Sequence, residues 1–132
     1  MTGLLLDTHV MVWCVFDPKS LSRYAEREIL RAGRVFVPAP ALYEAVRAIT
    51  AKRIRSATSD AVEALPGLIE ASGFDLLHPD ANDWIEAAGL GWSHGDPFDR
   101  LIWAMAHLGK LSLVTADETL LKLESGSTVD AR

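Results

Sequence analysis

Four acidic residues occupy positions from which their side chains could act together. Asp7 ends the apolar run of residues 4–6, and Glu44 lies about one turn into the helix expected after the next apolar run. Between Asp99 and Asp117 there is room for a helix of roughly a dozen residues, which descends about 18 Å, and a strand of about five residues, which climbs back about 17 Å. If the strands are parallel, all four carboxylates finish at the same end of one sheet.

A cluster of this kind needs a counter-charge, because carboxylates at close range raise one another's pKa. A divalent cation would supply it. Oxygen ligands without an accompanying Cys or His cluster favour Mg²⁺ or Mn²⁺ over Zn²⁺ and leave coordination positions for water and phosphate oxygens. The chemistry that these residues predict is therefore phosphoryl transfer.

Each acid also has an explanation that involves no chemistry. Asp7 and Asp117 both precede a predicted helix that they could cap. Residues 96–99, Asp-Pro-Phe-Asp, fit an N-cap, a proline at the first helical position and an acid near the positive end of the helix. Glu44 has the weakest structural explanation. The functional hypothesis depends on the coincidence of the four acids at one edge.

The elements that must position these acids alternate between strand and helix. Apolar runs predict strands at about 3–7, 35–37, 74–77 and 111–115, with a weak edge strand at 128–129. Helices are expected at about 8–16, 21–32, 40–55, 60–72, 80–89, 97–109 and 118–121. This alternation predicts a single α/β domain over residues 1–132, with a central, mostly parallel sheet of four or five strands and helices on both faces.

Composition limits the class of protein. The chain has 132 residues, of which 49% are hydrophobic and 23% charged, the balance of one ordinary globular domain. Its net charge of −5 argues mildly against holding nucleic acid by bulk electrostatics, although a bound cation would invert the field of an acidic pocket. The single Cys14 cannot form an internal disulfide, and no run approaches the roughly 18 apolar residues of a membrane span. We expect a cytoplasmic protein.

Four strings resemble those of one known family, in the same order and with the same spacing. They are LLLDTH from Leu4, VFVP from Val35 with the later Leu42-Tyr43-Glu44, GDPFDRLI from Gly95, and LVTAD from Leu113. Over nearly the whole chain they resemble the PIN domain, specifically the VapC-type toxins of prokaryotic type II toxin-antitoxin systems. The resemblance implies the three-layer PIN fold and a Mg²⁺- or Mn²⁺-dependent endoribonuclease that a cognate antitoxin inhibits and that usually forms a homodimer.

The resemblance also implies roles for the acids. The four acids of the family correspond to Asp7, Glu44, Asp99 and Asp117, which would hold the metal. Asp96 is a rival for the third position because it lies on the same helical turn as Asp99, but it is better placed as the helix cap. The implied reaction is the in-line attack of a metal-activated water on an RNA phosphodiester.

Several further residues are candidates for supporting roles. Thr8 and Thr115 could orient a ligand or a water, although a hydroxyl near a strand end is more often structural. Arg100 is a candidate phosphate clamp, with a surface salt bridge as an equal alternative. The basic residues of segment 52–55 complement the dipole of the helix before them, and contact with an RNA backbone or an acidic partner is the second interpretation.

Two other functions are compatible with parts of the sequence. A PIN domain retained only for binding a partner would not need all four acids. A metal-dependent phosphohydrolase or a phospho-accepting receiver domain also places acids at strand ends. Aspartyl phosphatases, however, carry a second Asp two positions after the first, where this chain has His9, and receivers need an adjacent acid pair early in the chain.

Overall fold

A parallel sheet forms the centre of the fold. The structure, a computed structural model, describes residues 3–92, 95–122 and 128–132. Within these ranges five strands pair in the order β3-β2-β1-β4-β5, and every pairing is parallel. The strands are β1 (Leu4–Leu6), β2 (Val35–Pro38), β3 (Asp75–Leu77), β4 (Ser112–Thr115) and β5 (Thr128–Asp130). The predicted edge strand is β5, and the predicted parallel sheet is confirmed.

Helices connect the strands in the described part of the chain. They are α1 (Thr8–Phe16), α2 (Arg23–Arg31), α3 (Pro40–Thr50), α4 (Ala61–Ala71), α5 (Ala81–Gly89), α6 (Pro97–Leu108) and α7 (Glu118–Leu121). A short 3-10 turn, Pro18–Ser20, follows α1. None of these helices is long and apolar enough to cross a membrane.

The helices cover both faces of the sheet and make three layers. In β1 the side chains of Leu4 and Leu6 belong to the core formed with α1 to α4, whereas Leu5 belongs to the core formed with α5 and α6. All three leucines are buried. A strand that is covered on both faces can be apolar at every position, which explains the continuous apolar run in the sequence. The three-layer α/β prediction is confirmed.

Helix α3 ends five residues before its predicted end at Arg55. The amide of Arg53 donates to the carbonyl of Ala48, and the amide of Lys52 donates to that of Ile49. Lys52 has a left-handed backbone, with φ of 57°. These are the bonds and the conformation of a Schellman motif, which stops a helix and reverses the chain. The segment after Lys52 therefore leaves the helix axis.

The thiol of Cys14 lies partly buried on α1. Burial raises its pKa to about 12, so the sulfur stays protonated at neutral pH. A protonated, shielded thiol is a poor nucleophile and a poor metal ligand. Cys14 packs against the core formed with α1 to α4, so the structure favours a space-filling role for this residue.

Candidate active site

The acids predicted from the sequence follow the carboxyl ends of the strands. Asp7 comes directly after β1 and caps α1, and Asp117 lies two residues after β4 and caps α7. Glu44 lies in the first half of α3, which follows β2. Asp96 caps α6, and Asp99 lies in the first turn of that helix. Ligand sites of parallel sheets form at this edge.

A chain of short hydrogen bonds joins three of these acids through two threonines. The hydroxyl of Thr115 donates to Asp7 Oδ2 at 2.7 Å and accepts from the amide of Asp117 at 3.0 Å. The amide of Thr8 donates to Asp7 Oδ1 at 2.8 Å, and its hydroxyl donates to Glu44 Oε1 at 2.6 Å. We call this set of five residues the acid–threonine chain. It connects the ends of β1 and β4 to helix α3.

Asp7 is the most deeply buried acid of the acid–threonine chain. Its side chain is 5% exposed. Burial raises the pKa of Asp7, and the nearby charge of Asp117 raises it further, whereas the hydrogen bonds from Thr115 and Thr8 and the charge of His9 lower it. The net shift is upward, so the protein holds an anion here at an energetic cost. A cation bound to Asp7 would offset that cost.

The pKa of Glu44, which is half-buried, is raised as well. Burial is the main cause that raises the pKa of Glu44, and the charges of Asp7 and Asp96 add to it. The hydrogen bond from Thr8 and the charge of His9 act in the opposite direction. Glu44 therefore lies within electrostatic range of the acid at the end of β1 and of the acid that begins α6.

The two acids of α6 have different surroundings. One carboxylate oxygen of Asp96 accepts from the amides of Phe98 and Asp99, at 2.9 and 3.3 Å, which is the cap expected from the sequence. The charge of Asp96 acts on Glu44. Asp99 is half-buried in the first turn. The structure thus brings Asp7, Glu44, Asp96 and Asp117 into one electrostatic group, and the choice of Asp99 as the third family acid stays a prediction.

The donor set fits a hard divalent cation by chemistry. Carboxylate oxygens are the ligands that Mg²⁺ prefers, and burial raises the pKa of two of these carboxylates, those of Asp7 and Glu44. Among the residues that the structure describes, neither Asp7 nor Glu44 forms an ion pair with Lys or Arg. The distances between the side chains fit a metal site less well. Within the described ranges, no three acidic, His or Cys side chains lie close enough together to hold a metal ion.

Arg100, a candidate phosphate clamp in the sequence, contacts the backbone at the end of α5. Its guanidinium donates to the carbonyls of Leu90 at 2.6 Å and Ala87 at 3.0 Å, with longer bonds to Ala88 and Trp92. The last carbonyls of a helix have no partner within the helix, and a guanidinium satisfies several of them at once. These contacts favour a structural role for Arg100.

We expect Arg100→Met to lower the free energy of unfolding by about 2 kcal/mol, since bonds from a charged donor to carbonyls are lost. Urea denaturation of the wild type and the variant measures the change. Arg100→Lys keeps the charge without the fork of donors and should fall between them. Unchanged stability together with weakened RNA binding would restore the phosphate-clamp interpretation.

His9 is a site residue that the sequence analysis did not assign. Its side chain is exposed beside Asp7, and its charge lowers the pKa of both Asp7 and Glu44. The signal in the sequence is its position two residues after Asp7, in the first turn of α1. The bonds of Thr8 and Thr115 could not be derived from spacing either.

The fold and the position of the acids define the class of protein. The sequence profile of the PIN domain matches residues 4–125, and the chain belongs to the PIN-domain family. A comparison with curated proteins finds no match.

Solved structures of similar fold include three toxin-antitoxin complexes. VapBC2 from Rickettsia felis, bound to a promoter DNA fragment, has a chain 16% identical with a TM-score of 0.71, and 98% of this chain and 99% of that chain are covered. DNA-bound VapBC from Salmonella typhimurium gives 17% identity, a TM-score of 0.73 and 98% coverage of both chains. VapBC-5 from Mycobacterium tuberculosis gives 20% identity and a TM-score of 0.62, with 100% of this chain and 99% of that chain covered. At these identities the likeness shows a common fold.

Proposed function

We propose that this chain is a Mg²⁺- or Mn²⁺-dependent endoribonuclease of the VapC type, the toxin of a type II toxin-antitoxin pair. The observation that carries the proposal is the acid–threonine chain, which is built around a buried aspartate of raised pKa at the end of β1. One threonine links Asp7 to the backbone amide of Asp117. The other threonine donates its amide to Asp7 and its hydroxyl to the carboxylate of Glu44. In a PIN fold this is the edge where the sequence resemblance expects the metal. The resemblance supports RNA as the substrate.

The residues of the chain have separable tasks in this proposal. Asp7, Glu44 and Asp117 would hold the cation, with Asp99 as the acid from α6 and Asp96 as its alternative. A bound divalent cation supplies an activated water and stabilises charge on phosphate oxygens. The hydroxyl of Thr115 orients Asp7 by fixing its Oδ2 atom. The hydroxyl of Thr8 does the same for Glu44 Oε1, so each threonine is a positioning residue.

The partners follow from the same proposal. The names of the solved neighbours describe VapBC complexes, which supports a cognate antitoxin as the inhibitor of this chain. A homodimer is the assembly that the resemblance implies. Trp84 and Ile85 on α5 are 52% and 70% exposed, which makes this helix a candidate contact surface. An RNA target would place the activity in the cytoplasm.

One observation favours a second candidate function, a PIN-fold module that binds a partner without catalysis. Within the described residues the acids do not form a three-ligand metal group. Calorimetric titration of Mn²⁺ into the wild type and into Asp7→Asn separates the two functions. A nuclease should bind the ion in the wild type and lose affinity in the variant, whereas a binding module should show no difference.

Incubation of the purified chain with total RNA and Mg²⁺ tests the nuclease proposal directly. We expect new 5′ ends at defined positions, which sequencing would locate, and no new ends when EDTA replaces Mg²⁺. Asp99→Ala and Asp96→Ala are compared side by side. Loss of cleavage with Asp99→Ala alone would identify Asp99 as the third acid, and loss with Asp96→Ala alone would give that role to Asp96. Intact RNA with the wild type would contradict the proposal.

A further inference from the structure

A pocket of ≈ 580 Å³ opens beside the candidate active site. Thr8 and Glu44, which share a hydrogen bond in the acid–threonine chain, form part of its wall. The remaining wall comes from α1, from α3, from residues 53–56 after α3 and from Phe98 in the first turn of α6. The volume is within the range of about 300–1,000 Å³ that ligand sites occupy. A molecule held in this pocket lies against Glu44.

Aromatic side chains line the pocket and leave ring surface open. Tyr43 is 56% exposed, and its ring centroid lies 5.4 Å from that of Phe98, with 36° between the ring planes. Trp13 also lines the pocket, 6.5 Å from the ring of His9. Every nucleobase has a flat π face, and open aromatic rings are the surfaces on which unpaired bases stack.

Three arginines line the same pocket, although the net charge of the whole chain is −5. The guanidinium of Arg47 lies 5.9 Å from the ring centroid of Tyr43, with its Nη1 atom 3.4 Å from the tyrosine hydroxyl. Arg53 and Arg55 are exposed at the pocket wall. Among the described lining residues there are two carboxylates, those of Asp17 and Glu44, so positive side chains outnumber negative ones. Guanidinium groups beside aromatic rings are typical of sites for single-stranded nucleic acid.

The Schellman motif at the end of α3 explains how Arg53 and Arg55 reach this pocket. A helix continuing to Arg55, as the sequence predicted, would have carried both side chains further along the helix axis. The left-handed backbone of Lys52 ends the helix instead, and the following segment becomes part of the pocket wall. Arg53 and Arg55 are thus part of a cavity next to Glu44. Basic residues that only complemented the dipole of α3 would not need to line a cavity.

We propose that this pocket binds an unpaired nucleotide of an RNA strand beside the scissile phosphate, with its base against Tyr43 and neighbouring phosphates at Arg53 and Arg55. The inference rests on the proposed function for the position of the scissile phosphate. Duplex RNA does not suit the pocket, because its bases are already stacked on one another. An apolar protein segment would use the rings but would leave three guanidinium groups without partners of opposite charge.

Binding of a short single-stranded oligoribonucleotide, measured by fluorescence anisotropy in EDTA, tests the pocket without cleavage. Tyr43→Leu should weaken binding by at least about fivefold, whereas Tyr43→Phe, which keeps the ring, should bind like the wild type. Arg53→Gln should reduce the slope of log K against log salt by about 0.7, the contribution of one phosphate contact to a single strand. Arg27→Gln, which changes an exposed residue of α2 outside the pocket, should leave the slope unchanged.

Equal RNA affinity of Tyr43→Leu and the wild type would overturn the inference and leave an apolar protein segment as the occupant. An equal loss of slope for Arg53→Gln and Arg27→Gln would overturn it as well, because binding would then be diffuse. Failure of the proposed function would give a different result. The variants would then bind RNA in EDTA as expected, but the wild type would not cleave it when Mg²⁺ is added.

Discussion

The variant Asp7→Asn should lose RNA cleavage by roughly a thousandfold, since several kcal/mol of metal-based transition-state stabilisation disappear with the carboxylate. The same variant should unfold at an equal or higher temperature than the wild type in metal-free buffer at neutral pH. The reason is that burial raises the pKa of Asp7, so the wild type carries a desolvated charge that the amide does not. Activity and stability thus change in opposite directions.

The hydrogen bonds of Asp7 explain why asparagine is tolerated. Its Oδ1 atom can still accept from the amide of Thr8 and cap α1, and asparagine caps helices as well as aspartate does. Its Nδ2 group can donate to the hydroxyl oxygen of Thr115, which reverses the polarity of that bond without breaking it. Both contacts survive within the space of the original side chain.

Asp7→Ala is the matched control for this prediction. It removes the same charge but leaves the amide of Thr8 and the hydroxyl of Thr115 without their partner, so it should be less stable than Asp7→Asn. Calorimetric melting temperatures and initial cleavage rates measure both effects. If Asp7→Asn retained cleavage, the metal role of Asp7 would be refuted. If it melted well below the wild type, the negative charge of Asp7 would stabilise the folded chain, and the stability prediction would be wrong.

The sheet could be predicted because its strands are covered on both faces. Leu4, Leu5 and Leu6 are apolar at consecutive positions, and this pattern requires two cores rather than one. Strand direction followed from the helices between the runs, since parallel strands need a crossover connection. Thr128–Asp130 gave a weaker signal because an edge strand of three residues has little apolar surface to bury.

Helix ends were harder to predict. The chain leaves α3, α4 and α6 through the left-handed residues Lys52, Gly73 and Lys110. Only Gly73 is of the type that favours this conformation, so the other two positions gave no signal of a stop. The end of α6 was predicted nearly correctly because Gly109 comes directly before the left-handed Lys110. Glycine suits this position, since a Cβ on Gly109 would lie 2.9 Å from the carbonyl oxygen of Met105.

The candidate site was predictable at the level of the backbone and less so for side chains. Strand ends fixed where Asp7 and Asp117 would lie, because a side chain that follows a parallel strand stays at its carboxyl edge. Spacing could not tell Asp96 from Asp99, since both begin the same helix. Nor could it indicate that Thr8 and Thr115 would donate to carboxylates, because a hydroxyl can rotate toward several acceptors.

The stability of the metal-free protein should fall as the pH rises from mildly acidic to neutral. Asp7 and Glu44 both have raised pKa values in the folded chain, so between the ordinary carboxyl pKa and the raised one the folded state binds more protons than the unfolded state. The free energy of unfolding therefore decreases with pH across that window. Their contribution is fully present below the ordinary pKa and is lost once the pH passes the raised value.

Mg²⁺ or Mn²⁺ should reverse this loss at neutral pH, because the cation binds the carboxylates that protonation would otherwise neutralise. At one hundred times its dissociation constant an ion that binds only the folded state adds about 2.7 kcal/mol, or roughly 10 °C in melting temperature for a domain of this size. The gain should shrink at mildly acidic pH, where protons compete for the same oxygens. In Asp7→Asn it should be small at every pH. Calorimetric scans of the wild type and this variant, with EDTA or with the ion, measure the difference, and an equal gain in both proteins would mean that the ion binds elsewhere.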